Sequence, residues 1–221
     1  MKLFDDFYVY LWQGSDNNCN TSLFANVFPG GKHLLVDPGH IITPSFREPA
    51  LETLARDMQR DGIELSSTGL VALTHGHPDH VEAAVLLQQQ LKVPVAMHQA
   101  DEEMFRMMGG KIDVYLQDGT LEPGSDAVCI QVLHSPGHSP GHVTFYRPDR
   151  KALVAGDCVF YRSMGRTDFP GGSARQLQQS IQRMSQLDIE YVVCGHPYGH
   201  SGLLQGSEEV RQNFEFILRY F

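Results

Sequence analysis

The segment Thr74-His75-Gly76-His77-Pro78-Asp79-His80 places three imidazoles and one carboxylate within residues 75–80, directly after the apolar run Leu70-Val71-Ala72-Leu73. The apolar run reads as a buried strand, and a strand that ends in a turn aims alternate side chains, His75 and His77, at one point. The next turn and helix start aim Asp79 and His80 at a second point a few ångströms away. Borderline-soft divalent metals such as zinc accept imidazole nitrogen and carboxylate oxygen readily, so the pattern is that of two adjacent metals rather than of solvated loop histidines. Two metals held about 3.5–4 Å apart need more ligands than four. The fold must therefore bring others to the same place.

Candidates stand where further strands stop. His138 lies in His134-Ser135-Pro136-Gly137-His138-Ser139-Pro140-Gly141-His142, where Pro and Gly fix a loop after an expected strand Ala127–Leu133. Asp157 follows Ala152–Ala155 through Gly156, and His196 follows Tyr191–Cys194 through Gly195. A rigid strand with an open loop beyond it is where an α/β scaffold presents chemistry. His200 competes with His196, which is favoured because it directly follows its strand. His134 and His142 read as supports for the ligand loop, His98 as a hydrogen-bonded core residue, and His33 and His40 as surface or loop positions.

Strands are expected at Phe7–Trp12, Ser22–Phe28, Leu34–Val36, Val93–Met97 and 143–147, with Pro29-Gly30-Gly31 as a hairpin turn. Helices are expected at Pro49–Arg60, with Leu51, Leu54, Ala55 and Met58 on one face, and at Val81–Leu91. A third is opened by Ser173 with Gln176 in a capping-box pattern, and a last spans Ser207–Phe221 with Val210, Phe214, Ile217 and Phe221 on one stripe. Met104, Phe105, Met107 and Met108 read as the packing face of a short helix ending at Gly109. With 221 residues, 42% of them hydrophobic, the chain can bury a large core as one domain, residues 1–221. A net charge of −9 offers no basic surface for phosphate backbones, which argues against nucleic acid. No run approaches a membrane span, the N-terminus lacks a secretion pattern, and Cys19, Cys129, Cys158 and Cys194 read as buried reduced thiols, so a cytoplasmic protein is expected. Cys158 is singled out because a metal beside Asp157 would lower its thiol pKa.

These motifs together resemble the metallo-β-lactamase fold superfamily. The match runs over nearly the whole chain and includes Val36-Asp37-Pro38-Gly39, His98 with Asp101 opening a helix, and Gly165-Arg166-Thr167-Asp168-Phe169-Pro170-Gly171-Gly172. The resemblance implies a four-layer αββα sandwich of the α/β class and two divalent metal ions, zinc first, with iron or manganese as alternatives. It implies that His75, His77 and His138 hold the first metal, Asp79, His80 and His196 the second, and that Asp157 bridges them. Several relatives fit poorly. The commonest zinc β-lactamases carry Cys at the bridging point, the flavo-di-iron proteins carry Glu at the position of His77, and the nucleases carry a further domain.

Metal chemistry lowers the pKa of a bound water from about 15.7 toward neutrality, which supplies hydroxide without a Ser or Cys nucleophile, with Asp79 or Asp157 orienting its proton. The expected function is hydrolysis of an activated acyl bond, a thioester, lactone or ester of a small molecule, as in the glyoxalase II-like hydrolases that the chain resembles. Those enzymes grip glutathione with a Lys and a Tyr after the bridging Asp and with basic residues of a C-terminal helical domain. Here Arg166 and Asp168 occupy that loop, so Arg166 is either a fork for a substrate carboxylate or the partner of Asp168. The persulfide dioxygenases share the Gly165–Phe169 stretch and use one iron on the equivalents of His75, His77 and Asp157. They are the alternative class, and a non-catalytic binding protein on the same fold is the third.

Overall fold

The computed structural model describes residues 1–121 and 128–221. Its first sheet runs β1 (Lys2–Phe4), β2 (Phe7–Tyr10), β3 (Thr21–Phe28), β4 (Lys32–Val36), β5 (Thr68–Ala72), β6 (Val95–His98) and β7 (Val114–Leu116), in that spatial order. The first four strands pair antiparallel and β4 to β7 pair parallel. The parallel steps need crossovers, which α1 (Ala50–Arg60), α2 (Pro78–Leu91) and the short α3 (Glu102–Met107) provide. The second sheet contains β8 (Gly119–Leu121), β9 (Ile130–His134), β10 (Val143–Arg147) and β11 (Ala152–Gly156). A small hairpin, β12 (Val159–Phe160) and β13 (Ser163–Met164), and α4 (Ala174–Met184) precede β14 (Tyr191–Cys194), β15 (Leu203–Gln205) and α5 (Ser207–Leu218). Its spatial order is β15-β14-β11-β10-β9-β8.

The layers follow from side-chain alternation. In β4, Leu34 and Val36 face the second sheet while Leu35 faces the helices; in β11, Ala152 and Val154 face the first sheet while Leu153 and Ala155 face outward. Strands covered on both faces are apolar throughout, which is why these runs lack a polar phase. Between the sheets Phe7, Phe24 and Leu34 meet Ile130, Val132 and Phe145. Outside the first sheet Leu54, Met58, Val81 and Phe105 pack on Leu35, Val71 and Met97, and outside the second Leu177, Ile181, Phe214 and Ile217 pack on Leu153 and Val192. Each such buried side chain contributes about 1.5–3 kcal/mol. The architecture is the expected αββα sandwich, and among the described residues no helix is long and apolar enough to cross a membrane.

Several expectations are corrected in detail. The helix after the histidine motif begins at Pro78, not Val81, because proline at the first helical position gives up no hydrogen bond; Asp79 and His80 therefore lie in its first turn. Ser173 caps α4 by accepting from the Gln176 N–H at 3.3 Å, but its own N–H donates to the Gly137 carbonyl, so the reciprocal half of the capping box is not used. Helix α5 ends at Leu218 and leaves Phe221 exposed off the stripe, and Ala55 on α1 is only half-buried. Of the apolar cluster near Gly109, Phe105 is buried but Met107 is exposed. His40 lies in a loop, one of the two places expected, but is buried, with its Nδ1 2.6 Å from Glu82; His33 is buried in β4, where its Nδ1 accepts from the Asn26 N–H at 3.0 Å. Cys129 is exposed, because β9 starts one residue later, at Ile130; the expected first residue of that strand, Ala127, falls outside the described residues.

Candidate metal centre

Strand β5 stops at Ala72, and the residues beyond it are oriented by one carboxylate. Asp37 accepts from the Thr74 N–H at 2.8 Å and from the Thr74 hydroxyl at 2.6 Å. The single proton of that hydroxyl is thereby committed, so His75 Nδ1–H donates to Thr74 Oγ1 at 3.0 Å and its Nε2 is left as a bare acceptor. From the first turn of α2, His80 Nδ1–H donates to the same Asp37 carboxylate at 2.9 Å. The second sheet does likewise with backbone carbonyls, which can only accept. His138 Nδ1–H donates to the Arg166 carbonyl at 2.8 Å, and His196 Nδ1–H to the Asn18 carbonyl at 3.0 Å. Four imidazoles therefore turn Nε2 inward, the arrangement that holds a ligating histidine in one orientation.

Those inward nitrogens converge with two carboxylates. His77 Nδ1 lies 2.9 Å from His138 Nε2, and His80 Nε2 lies 3.2 Å from His196 Nε2. Asp79 Oδ2 is 3.2 Å from His196 Nε2. Asp157 reaches both sides, with Oδ1 3.3 Å from His80 Nε2 and Oδ2 3.5 Å and 3.4 Å from the Nε2 atoms of His138 and His196. Three groups have ligand atoms within 4.8 Å of one another: His75, His77 and His138; His75, His80 and Asp157; Asp79, His80 and His196. All seven residues singled out from the sequence are thus brought together. His75 Nε2 and Asp157 Oδ1 are buried with no hydrogen-bond partner. A buried acceptor left unpaired costs about 1–3 kcal/mol, and a divalent cation satisfies such acceptors where a proton donor is lacking. The donor set fits a metal. The approach is close enough to exclude side chains: a Cβ on Gly195 would lie 2.0 Å from Asp157 Oδ1, and one on Gly165 1.9 Å from the Asp157 carbonyl.

Burial and neighbouring charge set the protonation. Burial pushes His75 well down, and burial with the adjacent His138 takes His77 to about 4, so both are neutral rings, the form that binds metal. For Asp157 the burial penalty is outweighed by His196 and His80, which hold its carboxyl well below the usual range. Asp79 is lowered in the same way, mainly by its hydrogen bond to His196. His196 rises to about 9, since Asp157 outweighs the burial that would lower it, so a metal there would bind in place of its proton.

A cavity of about 570 Å³ opens over the cluster, with Asp79, His138 and Asp157 on its floor and Phe160, Met164 and Phe169 among its walls. Arg166 stands at its rim, but its fork is filled by Asp168 at 2.9 and 2.7 Å and its guanidinium lies 4.5 Å over Phe169. His142 supports the loops: its Nε2 accepts from the Asp157 N–H at 3.1 Å and its Nδ1 meets Ser135 at 2.9 Å. His134 and His98 stack on each other at 4.1 Å, and His200 stacks on Tyr161 away from the cluster. The Cys158 thiol is pushed up by burial and by the Asp157 charge. Asn17 and Tyr198 were not anticipated. Asn17 donates to Asp79 Oδ2 at 2.6 Å and accepts from the Tyr198 hydroxyl at 2.9 Å, and the Tyr198 ring stacks on His196. The polar run Asp16-Asn17-Asn18-Cys19-Asn20, set between two strands, is the only sequence sign of it.

Comparison with known proteins agrees with this fold. The sequence pattern described as the metallo-beta-lactamase superfamily matches residues 14–196. Hydroxyacylglutathione hydrolase GloC of Haemophilus influenzae is 31% identical over 159 residues, 65% of this chain and 74% of that protein. The human mitochondrial persulfide dioxygenase ETHE1 is 35% identical over 136 residues, 61% of this chain and 50% of that protein. Among solved structures, TTHA1623 in a di-iron-bound form superposes with a TM-score of 0.68 at 30% identity, covering 93% of this chain and 98% of that one.

Proposed function

The chain belongs to the metallo-beta-lactamase superfamily, and from that premise we propose that it is a single-domain, dinuclear metallo-hydrolase acting on an activated acyl bond of a small molecule. One observation carries the reading: the second group, Asp79, His80 and His196, is fully assembled beside the first, and Asp157 reaches both. In this reading His75, His77 and His138 hold one metal, Asp79, His80 and His196 the other, and Asp157 lies between. The metals are zinc, or iron or manganese in its place. When bound, such ions acidify a water toward neutral pH and polarise a carbonyl.

The chain's own groups do the rest. Asp79 and Asp157 line the cavity floor with their carboxyls held ionised, so either accepts a hydrogen bond from water beside the substrate and orients its proton. Phe160, Met164 and Phe169 make that space partly apolar and limit bulk water. A thiolate leaving group needs little protonation, so thioesters suit this site. Free thiols at all four cysteines and the acidic net charge support a cytoplasmic enzyme of small molecules rather than of nucleic acid or membranes.

Similarity to the persulfide dioxygenase, together with Gly165–Phe169 at the cavity rim, favours a second reading: one iron with O₂ acting on a persulfide. Metal analysis of protein purified without added metal separates them. Two equivalents with thioester hydrolysis is expected; one iron with oxygen uptake on a persulfide would replace the proposal. Because Arg166 is taken by Asp168, kcat/KM for a lactoyl thioester of glutathione is expected to exceed that of the same acyl group on a smaller thiol by less than about a hundredfold, roughly 2.7 kcal/mol.

A further inference from the structure

We propose that Asp101 is the positioning residue of the first metal group, holding the loops of His77 and His138 in register from behind. Asp101 stands at the start of α3, where an aspartate ordinarily caps a helix, yet its side chain makes no cap hydrogen bond. Its carboxylate turns inward and is fully buried. There Oδ2 accepts from the Gly76 N–H at 2.9 Å and from the Ser139 hydroxyl at 2.6 Å, and Oδ1 accepts from the Gly141 N–H at 2.6 Å. Gly76 separates His75 from His77, and Ser139 directly follows His138. One carboxylate therefore ties a loop of the first sheet to a loop of the second at the point where their imidazoles meet, His77 Nδ1 being 2.9 Å from His138 Nε2.

All three donors are neutral, so the desolvated charge is balanced only by charge-assisted hydrogen bonds, each stronger than a neutral one. The space is built for this residue. A Cβ on Gly141 would lie 2.6 Å from Asp101 Oδ1, and one on Gly76 would lie 3.2 Å from Asp101 Cβ. Asp37 orients His80 of the second group and, through Thr74, His75 of the first, and makes no hydrogen bond to the His138 loop. Loss of Asp101 thus falls on His77 and His138, both of the first group, while His80 and His196 keep their Nδ1 partners.

Asp101→Asn preserves volume but sets an amide N–H₂ against at least one of the three donors. The inference rests on the two-metal reading, so the unaltered protein is titrated first with zinc against a chromogenic chelator, and cobalt spectra are recorded for each equivalent. A single equivalent there overturns the two-metal reading; Asp101 is then judged by that one equivalent alone. With two, Asp101→Asn is expected to weaken the equivalent held by His77 and His138 by about 10–100-fold, in the range typical for partners of metal ligands, and to change its cobalt spectrum. The equivalent lost in His196→Ala should bind within about threefold of normal. Unchanged affinities, or an equal fall at both, would overturn the role of Asp101. Should Asp101→Asn fail to fold, Ser139→Ala removes one donor only and must show the same one-sided loss at smaller size, about three- to tenfold; an even or absent effect would equally overturn it.

Discussion

The two halves of the molecule build the metal centre in opposite ways. The first sheet gives His75, His77, Asp79 and His80 from one loop and the first turn of α2, four groups whose relative placement is mostly local geometry. The second gives His138, Asp157 and His196 from the ends of three different strands, β9, β11 and β14. Backbone contacts hold these three together: the Asp157 N–H donates to His142 Nε2, and the Gly195 N–H donates to the Gly156 carbonyl at 2.7 Å. The contiguous motif needs only local geometry, whereas the dispersed set depends on how the strands of the second sheet pair, β11 beside β14.

The largest effect is expected where the dispersed half joins the two groups. Asp157→Ala should strip metal from both and lower kcat/KM by about a thousandfold or more, about 4 kcal/mol of transition-state binding; full occupancy after dialysis would refute its bridging place. His196→Ala should leave the first group loaded and halve the metal content, with activity down by about a hundredfold. An unchanged content would mean that His196 is no ligand and would reopen His200. Gly195→Ala tests the close approach itself. The added methyl must displace Asp157 Oδ1 from 2.0 Å, so metal affinity should fall by about tenfold while the protein still folds.

Two smaller effects separate the docking of the sheets from assembly of the site. Arg147 on β10 is buried, donating to Asp6 of the first half at 2.9 Å and to Asp149 at 2.6 Å. Since those carboxylates are 27% and 46% exposed and rehydrate, Arg147→Met should cost about 2–3 kcal/mol, below the usual range for a buried pair. A lower Tm with undiminished metal binding is the expected result. The least effect belongs to Asp16, whose burial penalty is outweighed by the Phe46 N–H, the Thr43 hydroxyl and the Ser45 and Asn17 N–H groups, taking its carboxyl to about 2. A depressed folded-state pKa stabilises above the unfolded value, about 3.9, and the stabilisation is lost as pH falls toward 2. The stability gap between the parent and Asp16→Asn should therefore shrink from pH 5 to pH 2. A constant gap would show that the carboxylate's charge plays no part.

The sequence by itself determined the mixed α/β class and a set of candidate ligands, for reasons that act over short range, while the four layers were implied by its family resemblance. Short apolar runs such as Leu70–Leu73 and Tyr191–Cys194 suit buried strands, and imidazoles and carboxylates gathered at their ends suit a metal. What only the tertiary structure decided is which partners hold those rings. Nothing local tells that Asp101 leaves its helix to bind Gly76, Ser139 and Gly141, that Asn17 reaches Asp79, 62 residues on, or that His33 and His40 are buried. The pairing of Arg166 with Asp168 at the cavity rim likewise comes from the loop's folded geometry. Hydrogen-bond partners of buried charge are selected by distance in space after the sheets have docked, and sequence separation carries almost no trace of that distance.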